Sequence, residues 1–130
     1  MLTIIADAGP LIALIDSVDP RHAWAVKVVA PLPRPWLTSS AVIAEVTHHF
    51  DNDRRTLAAL RKQVNAIRVQ DPEAVAVLDL MMQYAPRMDY ADACAVILAR
   101  AEKRSVVVTT DHNDFATYRV PFISPKGRFY

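Results

Sequence analysis

Four acidic residues, Asp7, Glu45, Asp92 and Asp111, stand in contexts where a charge needs a reason. Asp7 closes the apolar run LTIIA, and Asp111 follows the β-branched run VVVTT, so each sits at the carboxyl end of a strand-like segment. In open α/β sheets, ligands bind beyond those ends. If the two strands are neighbours, the two carboxylates converge and repel each other unless a cation or a proton intervenes. Glu45 lies inside the helical stretch AVIAEV, where a charge beside a buried face calls for a partner; the alternative is that it points to solvent. Asp89 and Asp92 are three residues apart and share a helix face. Asp89 reads as the N-cap and Asp92 as the acid one turn in, where the helix dipole keeps it ionised. Oxygen donors without Cys or His at ligand spacing select Mg²⁺ or Mn²⁺ over zinc. Taken singly, each strand-end aspartate is equally a cap for the helix that follows.

Other chemically capable residues carry weaker patterns. His48 and His49 follow Glu45 by three and four residues, but no HExxH or Cys/His zinc spacing is present. His22 and His112 read as surface residues, Cys94 as a small core residue, and Met81, Met82 and Tyr84 as packing or a dimer surface. Arg54, Arg61 and Arg68 recur every seven residues, with Arg55 and Lys62 beside them. Such a stripe either tracks a nucleic-acid backbone or is a solvated helix face. The tail KGRFY joins two cations to two aromatic rings, for contact with nucleic acid or a partner, or for docking on the domain.

The elements that must position these groups alternate. Residues 2–6 read as a buried strand, followed by the turn Asp7-Ala8-Gly9-Pro10 into a helix. Pro20 opens a second helical stretch, and Trp36-Leu37-Thr38 is a short strand, after which Ser39 or Ser40 caps a helix through AVIAEVTHHF. From Asp53 the spacing of Leu57, Leu60, Val64 and Ile67 predicts one helix. Asp71-Pro72-Glu73 opens another, which ends before Pro86, and residues 89–103 form the last long one. Val106 to Val108 is a strand, and residues 120–123 form a final edge strand that tolerates Pro121. The expected fold is a mostly parallel, twisted α/β sheet flanked by helices on both faces, one domain over residues 1–130.

Bulk properties bound the rest. A chain of 130 residues with 52% hydrophobic residues can bury a core without disulfides. The formal net charge of +1 excludes a polycation, so any attraction to nucleic acid must be local. One cysteine excludes a disulfide framework within the chain and fits a reducing cytoplasm. The apolar start contains Asp7, lacks a basic leader and is broken by Gly9-Pro10, which argues against a signal peptide. No apolar window is long enough for a membrane span.

In order along the chain, IADAGPLIAL, SSAVIAEV, MDYADACAVILARA and VVVTTDHNDF resemble the PIN-domain ribonucleases, in particular the VapC-like toxins of bacterial toxin–antitoxin modules. The resemblance covers almost the whole chain. It implies that Asp7, Glu45, Asp92 and Asp111 bind Mg²⁺ or Mn²⁺ and are catalytic, with Asp114 similar to an additional acid of many members; Asp89, one helical turn before Asp92, is the alternative for the third ligand. It also implies an RNA substrate, products ending in 5′-phosphate and 3′-hydroxyl, a cognate antitoxin and a homodimer. A metal held by these acids would offset the charge of a phosphodiester, activate a water and stabilise the leaving oxygen, so no His, Lys or Ser nucleophile is needed. One departure is Ala8, where many members carry a hydroxyl; Thr109 or Thr110 is then the candidate to orient a carboxylate. Two other classes compete: a non-catalytic RNA- or partner-binding PIN-like domain, and a DNA-directed nuclease of the same fold. A phosphoaspartate-forming phosphatase would need Asp-x-Asp at the first strand, where this chain has Asp7-Ala8-Gly9.

Overall fold

The computed structural model describes residues 2–130. Among these residues the strands are β1 (Thr3–Ala6), β2 (Trp36–Thr38), β3 (Ile67–Val69), β4 (Ser105–Val108), β5 (Phe122–Ser124) and β6 (Gly127–Phe129). They form one sheet in the order β3-β2-β1-β4-β5-β6, parallel throughout except for the β5–β6 hairpin. The helices are α1 (Ala8–Ile15), α2 (His22–Trp24), which runs into a π-helical stretch at Ala25–Val29, α3 (Ser40–His49), α4 (Arg54–Val64), α5 (Ala74–Gln83), α6 (Tyr90–Ala101) and α7 (His112–Tyr118).

Strand periodicity explains the two cores. Side chains alternate faces along a strand, so Ile4, Ala6, Val106 and Val108 enter one core with Leu11, Val29, Val42 and Val46. Ile5, Val107, Leu37 and Phe122 enter the other, against Val77, Val96, Phe115 and Tyr118. Central strands covered on both faces must be apolar at every position, which is why β1 and β4 read as continuous hydrophobic runs. The chain steps outward from β1 to β2 to β3, then crosses back through α5 and α6 to place β4 on the other side of β1. That reversal opens a crevice at the carboxyl ends of β1 and β4. Ala6 and Val108 are register partners there, so Asp7 and Thr109 leave the sheet side by side.

Tertiary pairing overrides the sequence reading at several places. The helix expected from Asp53 ends at Val64, and Ile67 instead begins β3, buried opposite Trp36. Ile67 satisfies the helical spacing by coincidence; as a β-branched residue beside a buried strand it gains more from the ladder. Arg54 and Arg61 therefore lie on α4 but Arg68 on β3, so the three arginines do not share one helix face. The segment expected as an edge strand starts at Phe122 and lies inside the sheet, because the tail folds back as β6. Phe129 stacks on Phe122 with ring centroids 5.1 Å apart, so the docking alternative holds for the tail. Pro121 sits where only an acceptor is needed, its carbonyl taking the Val107 N–H at 3.0 Å. His22 and His112 are half-buried rather than on the surface, with Nδ1 2.6 Å from the Ala13 carbonyl and 2.9 Å from Ser124 Oγ, respectively. Among the described residues no helix is long and apolar enough to cross a membrane.

Candidate active site

The crevice is built from the turns that follow β1 and β4. Asp7 caps the start of α1 by position and is buried, 7% exposed. Its Oδ2 accepts a hydrogen bond from Thr109 Oγ1 at 2.7 Å, and the same Thr109 oxygen accepts the backbone N–H of Asp111 at 3.0 Å. One fully buried hydroxyl thus fixes the turns carrying both aspartates. Gly9 brings the turns together: a Cβ there would collide with the side chain of Thr110. On the other side of β1, Thr38 Oγ1 donates to the Ala6 carbonyl at 2.7 Å, tying the end of β2 to the residue before Asp7.

Helix starts deliver the remaining acids. Ser39 caps α3, its Oγ accepting from the Val42 N–H at 3.3 Å, and α3 carries Glu45 at the solvent-exposed rim. Asp89 caps α6, its Oδ1 accepting from the Asp92 N–H at 2.7 Å. Asp92 is 9% exposed, and its Oδ2 accepts from the Tyr118 hydroxyl at 2.9 Å. Asp111 caps α7 through the Asp114 N–H at 3.3 Å, and Asp114 in turn holds Arg87 through Nε at 2.7 Å.

The electrostatics mark these acids as a mutually repelling group. Burial, then the charges of Asp89 and Asp111, push Asp7 up to about 6 against the lowering effect of the Thr109 hydrogen bond. Partial desolvation of its carboxyl, although the residue as a whole is exposed, and the charges of Asp7 and Asp89 raise Glu45 to about 7. Burial and the charges of Asp7, Asp89 and Asp111 raise Asp92 to about 8, so burial and like charge override the helix dipole expected to keep this acid ionised. Asp111 is also raised, chiefly by burial. Asp114 lies below its ordinary value: against partial burial, which raises it, side-chain hydrogen bonding shared with Asp111 and the bond and charge of Arg87 bring it down. Tyr118 is held neutral by burial and by the charge of Asp92.

A model of the PIN domain matches residues 4–121. The chain belongs to the PIN-domain family. This PIN domain is similar in fold to VapC20 of Mycobacterium tuberculosis, a sarcin-ricin loop cleaving toxin, with TM-score 0.76 and 21% identity over 91% of this chain and 96% of that one. It is also similar to VapBC-1 of nontypeable Haemophilus influenzae, with TM-score 0.61 and 15% identity over 95% of this chain and 98% of that one. No curated protein sequence matches the chain.

Within this PIN domain, the residues singled out from sequence fall into three groups. Asp7 and Asp92 form a buried pair, and Glu45, Asp89 and Asp111 are exposed acids around them. Asp114 is turned to Arg87, and Arg54, Arg61 and Arg68 lie on α4 and β3, outside this group. Among the described residues no three carboxylate, imidazole or thiol groups stand together as a ready coordination shell. The donor set nevertheless fits a hard divalent cation. It is all oxygen, and the raised values of Asp7, Glu45 and Asp92 reflect a repulsion that a cation would relieve. Sequence reasoning missed Tyr118 and Arg87. Neither has a signal of its own, since each meets its acid only because α7 packs beside the start of α6.

Proposed function

We propose that this PIN domain is a divalent-metal-dependent endoribonuclease, the toxin of a toxin–antitoxin pair, hydrolysing RNA phosphodiester bonds to 5′-phosphate and 3′-hydroxyl ends. The observation that carries the reading is the repelling acid group at the switch point of the sheet, with Asp7 and Asp92 buried in it. Asp7, Asp92, Asp111 and Glu45 would hold Mg²⁺ or Mn²⁺. Bound there, such an ion supplies charge to offset a phosphodiester, an activated water and stabilisation of the leaving oxygen.

The chain's own residues set up that chemistry. Thr109 orients Asp7 and pins the Asp111 backbone, doing what a hydroxyl at Ala8 would otherwise contribute. Tyr118 fixes one oxygen of Asp92 and leaves the other free. Asp89 caps α6 and adds negative charge at the rim. Arg87 offsets the charge of Asp114, which keeps that acid from adding fully to the repulsion. The exposed Arg54, Arg61 and Arg68 are available to backbone phosphates.

Partners follow from surface chemistry and likeness. On α5, Val75, Leu78 and Met82 are 70%, 51% and 69% exposed at three- and four-residue spacing, an apolar stripe that supports a homodimer. Met81 packs on the core instead, and Tyr84 lies edge-on to Tyr118 with centroids 5.3 Å apart. The likeness to the VapBC-1 structure supports an antitoxin partner, and an RNA substrate together with the free buried thiol of Cys94 fits a reducing cytoplasm.

The test is cleavage of matched RNA and DNA oligonucleotides by the purified protein with Mg²⁺, Mn²⁺ or chelator. Metal-dependent RNA cleavage lost in both Asp7→Asn and Asp92→Asn is the expected result. Cleavage confined to DNA would favour the deoxyribonuclease alternative, and RNA binding without cleavage the non-catalytic one.

A further inference from the structure

A cleft of about 370 Å³ opens between α3 and the start of α6, lined by Ser40, Ala41, Ala44, Asp71, Tyr90 and Cys94, with Pro72 at its edge. Its size is that of a small organic ligand's pocket. It adjoins the acid group: Ala44 precedes Glu45 on α3, and Tyr90 stands between Asp89 and Asp92 on α6. The Cys94 thiol on its floor is raised by burial and then, against a hydrogen bond with Ser39, by the charges of Asp71 and Asp89, so both carboxylates lie near it. Asp89 thus ties the cleft to the edge of the acid group, whose carboxylates do not themselves line it.

Three features of the lining bear on what it holds. The walls at Ala41 and Ala44 are small, which leaves a slot. Tyr90 keeps 39% of its surface accessible, so a ring face is available for stacking. Asp71 is held by Ser40 from both sides, with the backbone N–H on Oδ1 at 2.7 Å and the hydroxyl on Oδ2 at 2.6 Å. Those hydrogen bonds keep Asp71 ionised, below its ordinary value, and fix its orientation while leaving lone pairs on both oxygens. A fixed carboxylate with two open acceptor sites selects a ligand edge with two adjacent N–H donors. Of the four RNA bases, only guanine offers that, through N1–H and its amino group.

We propose that this cleft is a base-binding subsite for a single-stranded nucleotide next to the cleaved bond, with Tyr90 as stacking platform and Asp71 as the acceptor that favours guanine. The proposal rests on the nuclease reading for its placement and is tested in a way that separates the two. Labelled single-stranded oligoribonucleotides that differ at one position bind the full chain in Ca²⁺ buffer, read by fluorescence anisotropy, and the same set is cleaved in Mn²⁺ for KM and kcat. Tyr90→Ala weakens binding and raises KM roughly 5- to 150-fold with kcat nearly unchanged, the range expected for loss of one stacked base. Tyr90→Phe keeps wild-type values, which shows that the Ala effect comes from the ring. Asp71→Asn retains both contacts to Ser40 but loses the preference for guanine over adenine. Wild-type affinity and KM in Tyr90→Ala, or a wild type with no base preference, would overturn the subsite while leaving the nuclease reading in place. Tyr90-dependent guanine binding by a protein that cleaves nothing would sustain the subsite and remove the nuclease reading.

Discussion

Replacing Asp7 by Asn tests the repulsion argument most directly, because the change keeps shape and removes charge. Asp7 is 7% exposed and its carboxyl is raised from 3.8 to about 6 in the fold. A group raised on folding contributes stability that is complete below its unfolded value and is lost as pH rises through its folded value. For Asp7 the loss runs from about pH 4 to pH 6, and a rise from 3.8 to about 6 corresponds to roughly 3 kcal/mol at pH 7.5. Asn makes no such contribution, and its side-chain oxygen still accepts from Thr109. Without metal at pH 7.5, Asp7→Asn is therefore expected to be more stable than wild type by up to about 3 kcal/mol, on the order of 10 °C in Tm for a domain of this length. At pH 3.5 the two proteins should melt together. A cation at about a hundred times its Kd returns roughly 2.7 kcal/mol to the wild type, so excess Mn²⁺ should close most of the gap and leave the variant unmoved. Differential scanning fluorimetry across pH, with and without Mn²⁺, reads all of this. A variant less stable than wild type at pH 7.5, a gap that ignores pH, or an equal response to Mn²⁺ would each refute the reasoning.

Other perturbations separate structural from chemical roles. Asp89→Asn should keep stability and metal response because Asn caps α6 as well, while Asp89→Ala should cost about 1 kcal/mol in urea unfolding. Tyr118→Phe leaves Asp92 without its buried donor; a loss of about 1–2 kcal/mol and a weaker Mn²⁺ thermal shift are expected, and wild-type values in both would show that the contact is idle. Gly9→Ala should lower stability by roughly 1–3 kcal/mol, since the new methyl meets Thr110, with cleavage falling as the Asp7 and Asp111 turns separate. If the proposed homodimer forms through the α5 stripe, the wild type should sediment as a dimer and Leu78→Glu as a monomer in analytical ultracentrifugation with unchanged far-UV circular dichroism; a monomeric wild type or an unchanged mass in the variant would remove that interface.

Some of this was written in local chemistry alone. The apolar runs ending at Asp7 and Asp111 identify strands buried on both faces, because only such strands lack polar alternation. Asp89 three residues before Asp92 identifies a cap, and the structure has that bond. The parallel α/β class follows from strands alternating with helices. Ile67 shows the limit: one residue fits two periodicities, and only the partner strand at Trp36 decides between them. The tail likewise reads as a surface segment until Phe129 finds Phe122.

What the sequence alone determined, then, is which residues carry charge in apolar surroundings and which stretches must be buried, since both depend on neighbours within a few positions. The tertiary structure decided which charges meet. Thr109 reaches Asp7 across 102 positions and Tyr118 reaches Asp92 across 26, through hydrogen bonds that no local pattern encodes. Carboxylate repulsion depends on distance in space, so the raised values of Asp7, Glu45 and Asp92 exist only once β4 lies beside β1 and α6 and α3 lean over their ends.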